Sequence, residues 1–517
     1  MEFLCTPLLL FLFFSAILGI SFKFLHKDRL PKNLPPSPPA LPIIGHLHLL
    51  KKPLYRSLAD LSAKHGPTLS LRLGSRLALI VSSPDLVEEC FTIHDIAFAN
   101  RPHLLAGRYM GNNYTTIAWT SYGPHWRNLR RIATLEVLSS ARLQAFAGLR
   151  RDEVQSLLRQ LFEGSDPAGF AQVELSSMVA ALAFDTIVRM VTGRRWYEKG
   201  VARSEESRRF LAVIKEAMAL QGAVSIGDYI PALRWLDLQG IERQMKGCYN
   251  RREVLFQGLV DEERRKRRGG DGGDGGSDAG DSRGSLIDFL LSLQETEPEY
   301  YTDLLIRGVM MVMLAAGTDT TATTLDWAIA LLLNNPDVLK KARDELDARV
   351  GTDRLVEESD LANLTYLHCI VKETLRLYPA GPLLLPHELG EDCNIGGYDI
   401  PRGTILFVNA WAIHRDPKLW PEPTRFIPER FSGLEERDDG FKMIPFGFGR
   451  RKCPGSGLAM KVVQFALAGL IQCFEWERVG REEVDMAEGV GLTLTRANPL
   501  HVLYRPRHSM VKVLSHL

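Results

Sequence analysis

A chain of 517 residues, 45% hydrophobic and 24% charged, has the length and apolar content for a sizeable core, which excludes a wholly disordered protein. Basic and acidic residues nearly cancel, 63 against 62 for a net charge of +1, so the charge balance gives no reason to expect nucleic acid or another polyanion. The seven cysteines are odd in number, scattered and without a C-x-x-C pair, as in a reducing compartment and unlike a disulfide scaffold.

Phe3 to Phe22 carries no charge and is rich in Leu, Phe and Ile, about the length a helix needs to cross a bilayer. Lys23, Lys27, Arg29 and Lys32 follow it, which places the downstream chain in the cytosol by the positive-inside tendency. Residues 1–22 are therefore expected to be an uncleaved transmembrane helix. A cleaved signal peptide fits less well, because Glu2 stands where a basic n-region is expected and the apolar run is long. Residues 23–45 form a basic and then Pro-rich hinge, Leu34-Pro35-Pro36-Ser37-Pro38-Pro39-Ala40-Leu41-Pro42, in which successive prolines forbid helix and stiffen the chain.

Thr68–Leu73 and Ala78–Val81, separated by Gly74 and Ser75, predict a β-hairpin. From about Phe98 to Thr120 no clean period survives and a long loop is expected. Trp126 and Arg130 then lie one helical turn apart on one face. Arg264 to Arg268 and the Gly/Asp-rich tract after it, residues 264–285, have a composition that cannot bury a core and are expected to be a disordered surface loop.

One long helix is predicted from about Thr302 to Asn334, ended by Asn335 and Pro336. Its interior carries Ala316-Gly317-Thr318-Asp319-Thr320-Thr321, poor helix formers that compete for backbone hydrogen bonds, and such local conflict marks a functional position. Glu373 and Arg376 place opposite charges at i and i+3 on a helix that ends before Pro379. Ala380 to His387 is apolar and bracketed by prolines, and Glu488 to Thr493 is a glycine-containing turn into a β-like segment.

The most informative stretch is Phe446-Gly447-Phe448-Gly449-Arg450-Arg451-Lys452-Cys453-Pro454-Gly455. Its glycines allow left-handed turns, Pro454 suits the first turn of a helix, and Cys453 falls at the N-terminal end of a helix predicted from about Gly457 to Cys473. Helix N–H groups there favour a thiolate, and a thiolate is a metal ligand.

The pattern Phe446-x-x-Gly449-x-Arg451-x-Cys453-x-Gly455 resembles the haem-binding loop of cytochromes P450, and the resemblance runs from about Leu34 to Leu503. It implies a mainly α fold with a small β lobe, the cytochrome P450 fold, with residues 46–517 as one haem-thiolate catalytic domain behind the N-terminal transmembrane helix. It also implies haem b as cofactor, with Cys453 as the axial ligand of iron, Phe446 packed beside the sulfur, Gly449 shaping the loop and Arg451 meeting a propionate. By the same resemblance Trp126 and Arg130 hold a propionate, and His387 is brought towards one. Gly317 clears room over iron, Thr320 offers a hydroxyl to oxygen, and Asp319 helps relay protons. Glu373, Arg376 and Arg430 form a buried structural cluster below the haem, while Tyr114, Ile117, Trp119, Leu383, Leu384 and Leu492 face substrate.

The segments around Ala315–Thr321, Leu383–His387 and Glu488–Leu494 are similar to plant microsomal P450s of the isoflavone-hydroxylase-like group. The implied reaction is hydroxylation of a small hydrophobic molecule, a flavonoid-like or other phenolic metabolite or else a xenobiotic such as a herbicide. Its electrons would come from NADPH through NADPH-cytochrome P450 reductase, with O2 as co-substrate. The implied location is the endoplasmic reticulum membrane, single-pass, with the catalytic domain cytosolic. Arg127, Arg131, Arg450 and Lys452 are expected to form the basic face that meets the reductase. The rival readings are a haem-thiolate isomerase or dehydratase, against which the intact Asp319-Thr320 pair argues, and a membrane-tethered haem sensor or carrier lacking a pocket for organic ligands.

Overall fold

The computed structural model describes residues 31–166, 169–195, 205–269, 284–433 and 436–517. The expected transmembrane helix lies outside the described residues.

The longer helices, labelled in chain order, are α1 (Leu54–His65), α2 (Pro84–Phe91), α3 (Pro124–Arg131), α4 (Ala147–Glu163), α5 (Leu175–Thr192), α6 (Glu205–Gln221), α7 (Ile241–Gly269), α8 (Leu286–Thr296), α9 (Asp303–Asn334), α10 (Pro336–Arg349), α11 (Thr365–Leu377) and α12 (Ser456–Cys473). The bundle is arranged around α9, which is apolar on most sides and is accordingly enclosed. It packs against α5 and α12, with α6 and α7 alongside. Among the described residues three helices, α5, α9 and α12, are long and apolar enough to cross a bilayer. Most of the α5 and α12 windows is nevertheless buried inside the protein, as is half of that on α9. The Oγ1 of Thr302 caps α9 by accepting from the Leu305 N–H at 3.4 Å, and Asn335 with Pro336 ends it where the sequence predicts.

The β lobe is a sheet in the order β1-β2-β7-β4, built from Thr68–Leu73, Arg76–Val81, Ile405–Val408 and His387–Glu388. The β1–β2 hairpin turns at Gly74, whose φ of +58° favours glycine, and β7 runs parallel to β2. The short strand β4 pairs antiparallel with β7, with His387 opposite Leu406, and so carries His387 from the sheet to the edge of the helical bundle. A three-stranded sheet, β3-β9-β8 (Ala171–Glu174, His501–Pro506 and Phe474–Arg478), and a ribbon of β5 (Cys393–Ile395) with β6 (Tyr398–Ile400) complete the strands among the described residues.

Two expectations are corrected. Arg264 to Arg268 are not disordered: they are the last turns of α7, held by tertiary ion pairs in which Arg264 bonds Asp303 at 3.0 Å and Arg267 reaches Glu295 at 3.1 Å. At the other end of the expected loop, Ser285 caps α8 by accepting from the Asp288 N–H at 3.2 Å; residues 270–283 lie outside the described residues. The segment from Phe98 to Thr120 is not featureless either. It contains a short helix, Leu105–Tyr109, followed by three successive left-handed residues, Asn112, Asn113 and Tyr114, with φ of 48°, 55° and 62°.

Candidate active site

A cavity of about 350 Å³ lies between α9 and the loop that carries Cys453. The backbone of that loop explains its sequence. Gly447 and Gly449 take φ of +69° and +66°, and a Cβ on Gly449 would sit 2.4 Å from Asp95 Oδ1. Asp95, in the turn that follows α2, braces the loop by accepting from Arg450 N at 3.1 Å and Arg450 Nε at 2.7 Å. The Cys453 N–H closes the turn by donating to Phe446 O at 2.9 Å.

Cys453 is exposed, yet the space it opens on is the interior cavity. Burial pushes its thiol pKa up, against the opposing pull of the Gly455 and Ser456 N–H groups and the Arg130 and Lys452 charges. The N-terminal end of α12 thus does not by itself make the thiolate, contrary to the expectation from the helix dipole; a coordinated metal deprotonates a thiol outright.

Around the thiol three arginines, Arg101, Arg130 and Arg451, line the cavity, and no described carboxylate pairs with any of them. Arg451 donates to Ala99 O at 2.6 Å, Ile117 O at 3.0 Å and Thr120 O at 2.6 Å, and lies over the Trp126 ring at 4.6 Å. Arg101 donates to Leu385 O and Pro386 O at 2.9 and 2.6 Å, and Arg130 to Lys452 O at 2.6 Å. Burial, reinforced by repulsion from Arg101 and Arg130, pushes the Arg451 pKa down to about 8, and burial pushes that of Arg101 down to about 9. Buried cations without an anion are costly, so this wall is built for acidic groups. The buried Trp126 Nε1 has no acceptor either. A flat apolar macrocycle with acidic substituents and a thiolate-seeking metal fits these residues, and haem is such a group.

His387 lines the same cavity, with Nδ1 2.7 Å from Phe98 O. A carbonyl only accepts, so Nδ1 carries the proton. Burial and the neighbouring Arg101 hold the ring pKa well below its usual value, which leaves Nε2 a lone pair. His387 can hold a carboxylate only when an anion has first made the ring take a second proton.

On the opposite wall α9 presents Ala316, Gly317, Thr320, Thr321 and Thr324. The Thr320 hydroxyl donates to Ala316 O at 2.6 Å, so its oxygen lone pairs are what remain for the cavity. Asp319 is not on the cavity wall; it accepts from Thr493 Oγ1 at 2.5 Å, and burial raises its pKa against that bond and the Lys215 charge. Gly317 has a second reason besides its place on the wall. A Cβ there would lie 2.7 Å from Ile187 Cδ1, so Gly317 also admits the approach of α5.

Ile117, Trp119, Leu384 and Leu492 line the cavity as expected, as do Phe446, Trp126 and Arg130. Tyr114 and Leu383 do not. The left-handed run turns Tyr114 back over Gly107, where its hydroxyl donates to Leu104 O at 3.0 Å and its ring stacks on His103. Leu383 packs instead against the apolar face of the β1-β2-β7 sheet. Gly449 also stays off the wall, as its part is the turn against Asp95. Away from the cavity the structure brings Glu373, Arg376 and Arg430 together. Arg376 grips both Glu373 oxygens at 2.7 and 2.8 Å, and Arg430 Nε donates to the same carboxylate at 3.1 Å.

Sequence reasoning missed Arg101, Asp95 and Gln221. Nothing local in Asn100-Arg101-Pro102 separates that arginine from a solvated one.

Comparison with known proteins agrees with this geometry. A family model described as Cytochrome P450 matches residues 35–503. The chain is 50% identical over 98% of both lengths to Cytochrome P450 81Q32 of Catharanthus roseus. It is 47% identical over 97% of both to Isoflavone 2'-hydroxylase of Glycyrrhiza echinata. A zebra fish cytochrome P450 solved with progesterone superposes with a TM-score of 0.73 at 26% identity, covering 88% of this chain and 100% of the other.

Proposed function

The chain belongs to the cytochrome P450 family and is a haem-thiolate monooxygenase, and from that premise we propose that it hydroxylates a small phenolic plant metabolite of the flavonoid type. The observation that carries the assignment of the site is the Cys453 thiol opening on a mainly apolar cavity beneath α9. Similarity to an isoflavone hydroxylase over nearly the whole chain supports the substrate class.

When bound, haem ligated by a thiolate supplies the oxygen activation, one atom of O2 entering the substrate and the other leaving as water. Cys453 provides the thiolate, and Arg101, Arg130 and Arg451 neutralise the acidic edge of the group. The apolar walls exclude water and let the substrate be held by shape. Thr320 Oγ1, with its own proton committed to Ala316 O, accepts a hydrogen bond from a group in the cavity and steadies a proton there. Asp319, one residue before it and held by Thr493 Oγ1, is the reserve behind it, and burial raises its pKa. Electrons come from NADPH through the membrane-bound reductase, which docks on a basic face formed by Arg127, Arg131 and Lys452. Arg450 belongs less to that face than to the loop, since Asp95 and Tyr122 engage its guanidinium. An endoplasmic reticulum anchor in residues 1–22 completes the proposal.

Titrating the ferric protein with a panel of flavonoids, other phenolics and herbicide-like aromatics tests the substrate class. Saturable shifts towards high spin, strongest for flavonoids and followed by hydroxylated products with reductase present, are expected. Shifts confined to non-phenolic aromatics would reassign the substrate. Thr320→Ala is expected to release several times more hydrogen peroxide per NADPH consumed while substrate affinity is unchanged. Unaltered coupling of NADPH to product removes Thr320 from proton handling.

A further inference from the structure

The polar groups of the cavity divide into those already engaged and those left over. Beside Cys453, the arginine donors and His387 answer to backbone carbonyls and to the acidic edge of the cofactor. Across the cavity most hydroxyl protons are committed as well. Thr186 donates to Leu182 O at 2.8 Å, Thr324 to Thr320 O at 2.9 Å and Thr493 to Asp319 at 2.5 Å. The indole N–H groups of Trp119 and Trp126 are left over as donors, and the carboxamide of Gln221, at the last turn of α6, offers an acceptor. Its Nε2 lies 3.3 Å from Met218 Sδ, a weak acceptor, and its Oε1 has no partner among the described residues. Gln221 is also held in place. A Cβ on the next residue, Gly222, would lie 2.6 Å from Leu492 N, so the end of α6 is pressed against the turn whose Leu492 and Thr493 reach the cavity.

We infer that Gln221 is the polar anchor of the substrate, its Oε1 accepting a hydrogen bond from a hydroxyl on a small, otherwise apolar aromatic ligand. The inference rests on the phenolic reading above and adds that a free hydroxyl, not its ether, is recognised. A phenol entering an apolar cavity loses water's hydrogen bonds, and a single placed acceptor restores the one that matters. Sites built to bond a substrate hydroxyl discriminate against analogues without it far better than apolar pockets discriminate by size. A hydroxyl on the wall with no partner among the described residues is that of Thr321, buried on α9, which can also serve as an acceptor and so is the control position.

The test uses the full-length, haem-loaded ferric protein without reductase and reads binding by the spin-state shift. The ligands are a hydroxyisoflavone and its O-methyl ether, and the proteins are wild type, Gln221→Leu and Thr321→Val. Wild type is expected to bind the phenol about tenfold tighter than the ether. Gln221→Leu should bring the ratio near one by weakening the phenol alone, and Thr321→Val should keep the ratio. An unchanged ratio in Gln221→Leu, a ratio lost in Thr321→Val instead, or no preference in wild type overturns the anchor while leaving the phenolic reading intact. Failure of wild type to bind either compound overturns the phenolic reading and the anchor with it.

Discussion

Cys453→Ser is expected to abolish monooxygenase turnover and the thiolate signature of the reduced carbonyl complex while leaving the protein folded. The chain uses this residue in two separable ways. Its backbone N–H closes the loop onto Phe446 O at 2.9 Å, and any residue other than proline retains that bond. Its sulfur opens on the cavity, where the Gly455 and Ser456 N–H groups and the Arg130 charge favour its ionised form against burial. Serine keeps the first role and nearly the same volume, but an alcohol resists ionisation far more than a thiol, so the electron-rich ligand is lost. Circular dichroism and the denaturation midpoint of the haem-free protein should match wild type, whereas turnover falls to background. Turnover of Cys453→Ser within a few-fold of wild type would remove the thiolate from the mechanism. An unfolded Cys453→Ser protein would instead give the sulfur a structural role that its contacts do not indicate.

Why this loop was readable from the chain while other parts of the site were not comes down to where the constraints arise. The left-handed Gly447 and Gly449 and the helix start after Pro454 are local demands of the backbone, so they are written in neighbouring residues. The same holds for the Gly-Thr-Asp conflict in α9, although Gly317 also serves the approach of Ile187. Asp95 acquires its part only when the chain brings it against Arg450, 355 positions later, and Arg101 only against Leu385 and Pro386, and no periodicity carries that information. Arg264 to Arg268 were misread for a related reason. The acids that hold these residues in a helix, Asp303 and Glu295, belong to later elements, and composition alone registers only the like charges. The family resemblance puts Tyr114 at the cavity, whereas three consecutive left-handed residues turn its ring the other way. Patterning reports faces of regular elements; it does not report the direction of a side chain in an irregular turn.

Glu373→Gln should destabilise the fold by about 3–5 kcal/mol, the usual cost of removing one partner from a buried charged network. Both Glu373 and Arg376 are fully buried. The carboxylate meets the forked Arg376 guanidinium, Arg430 Nε at 3.1 Å and the Ile427 N–H at 2.9 Å, so neutralising it leaves two guanidinium groups without their anion. The double replacement Glu373→Gln with Arg376→Met should cost less than the sum of the single changes, because it removes the Glu373–Arg376 charges that either single change strands, while Arg430 still loses its anion. It will not be neutral, since Arg376 also satisfies the carbonyls of His414 and Pro423, each at 2.7 Å. Neither residue lines the cavity. Turnover per haem retained should therefore stay within about twofold of wild type even as the denaturation midpoint and haem retention fall, a split that distant and independent sites permit. A tenfold loss of turnover per haem at unchanged stability would instead place Glu373 in the reaction, and additive costs in the double variant would show that the two side chains do not act as one unit.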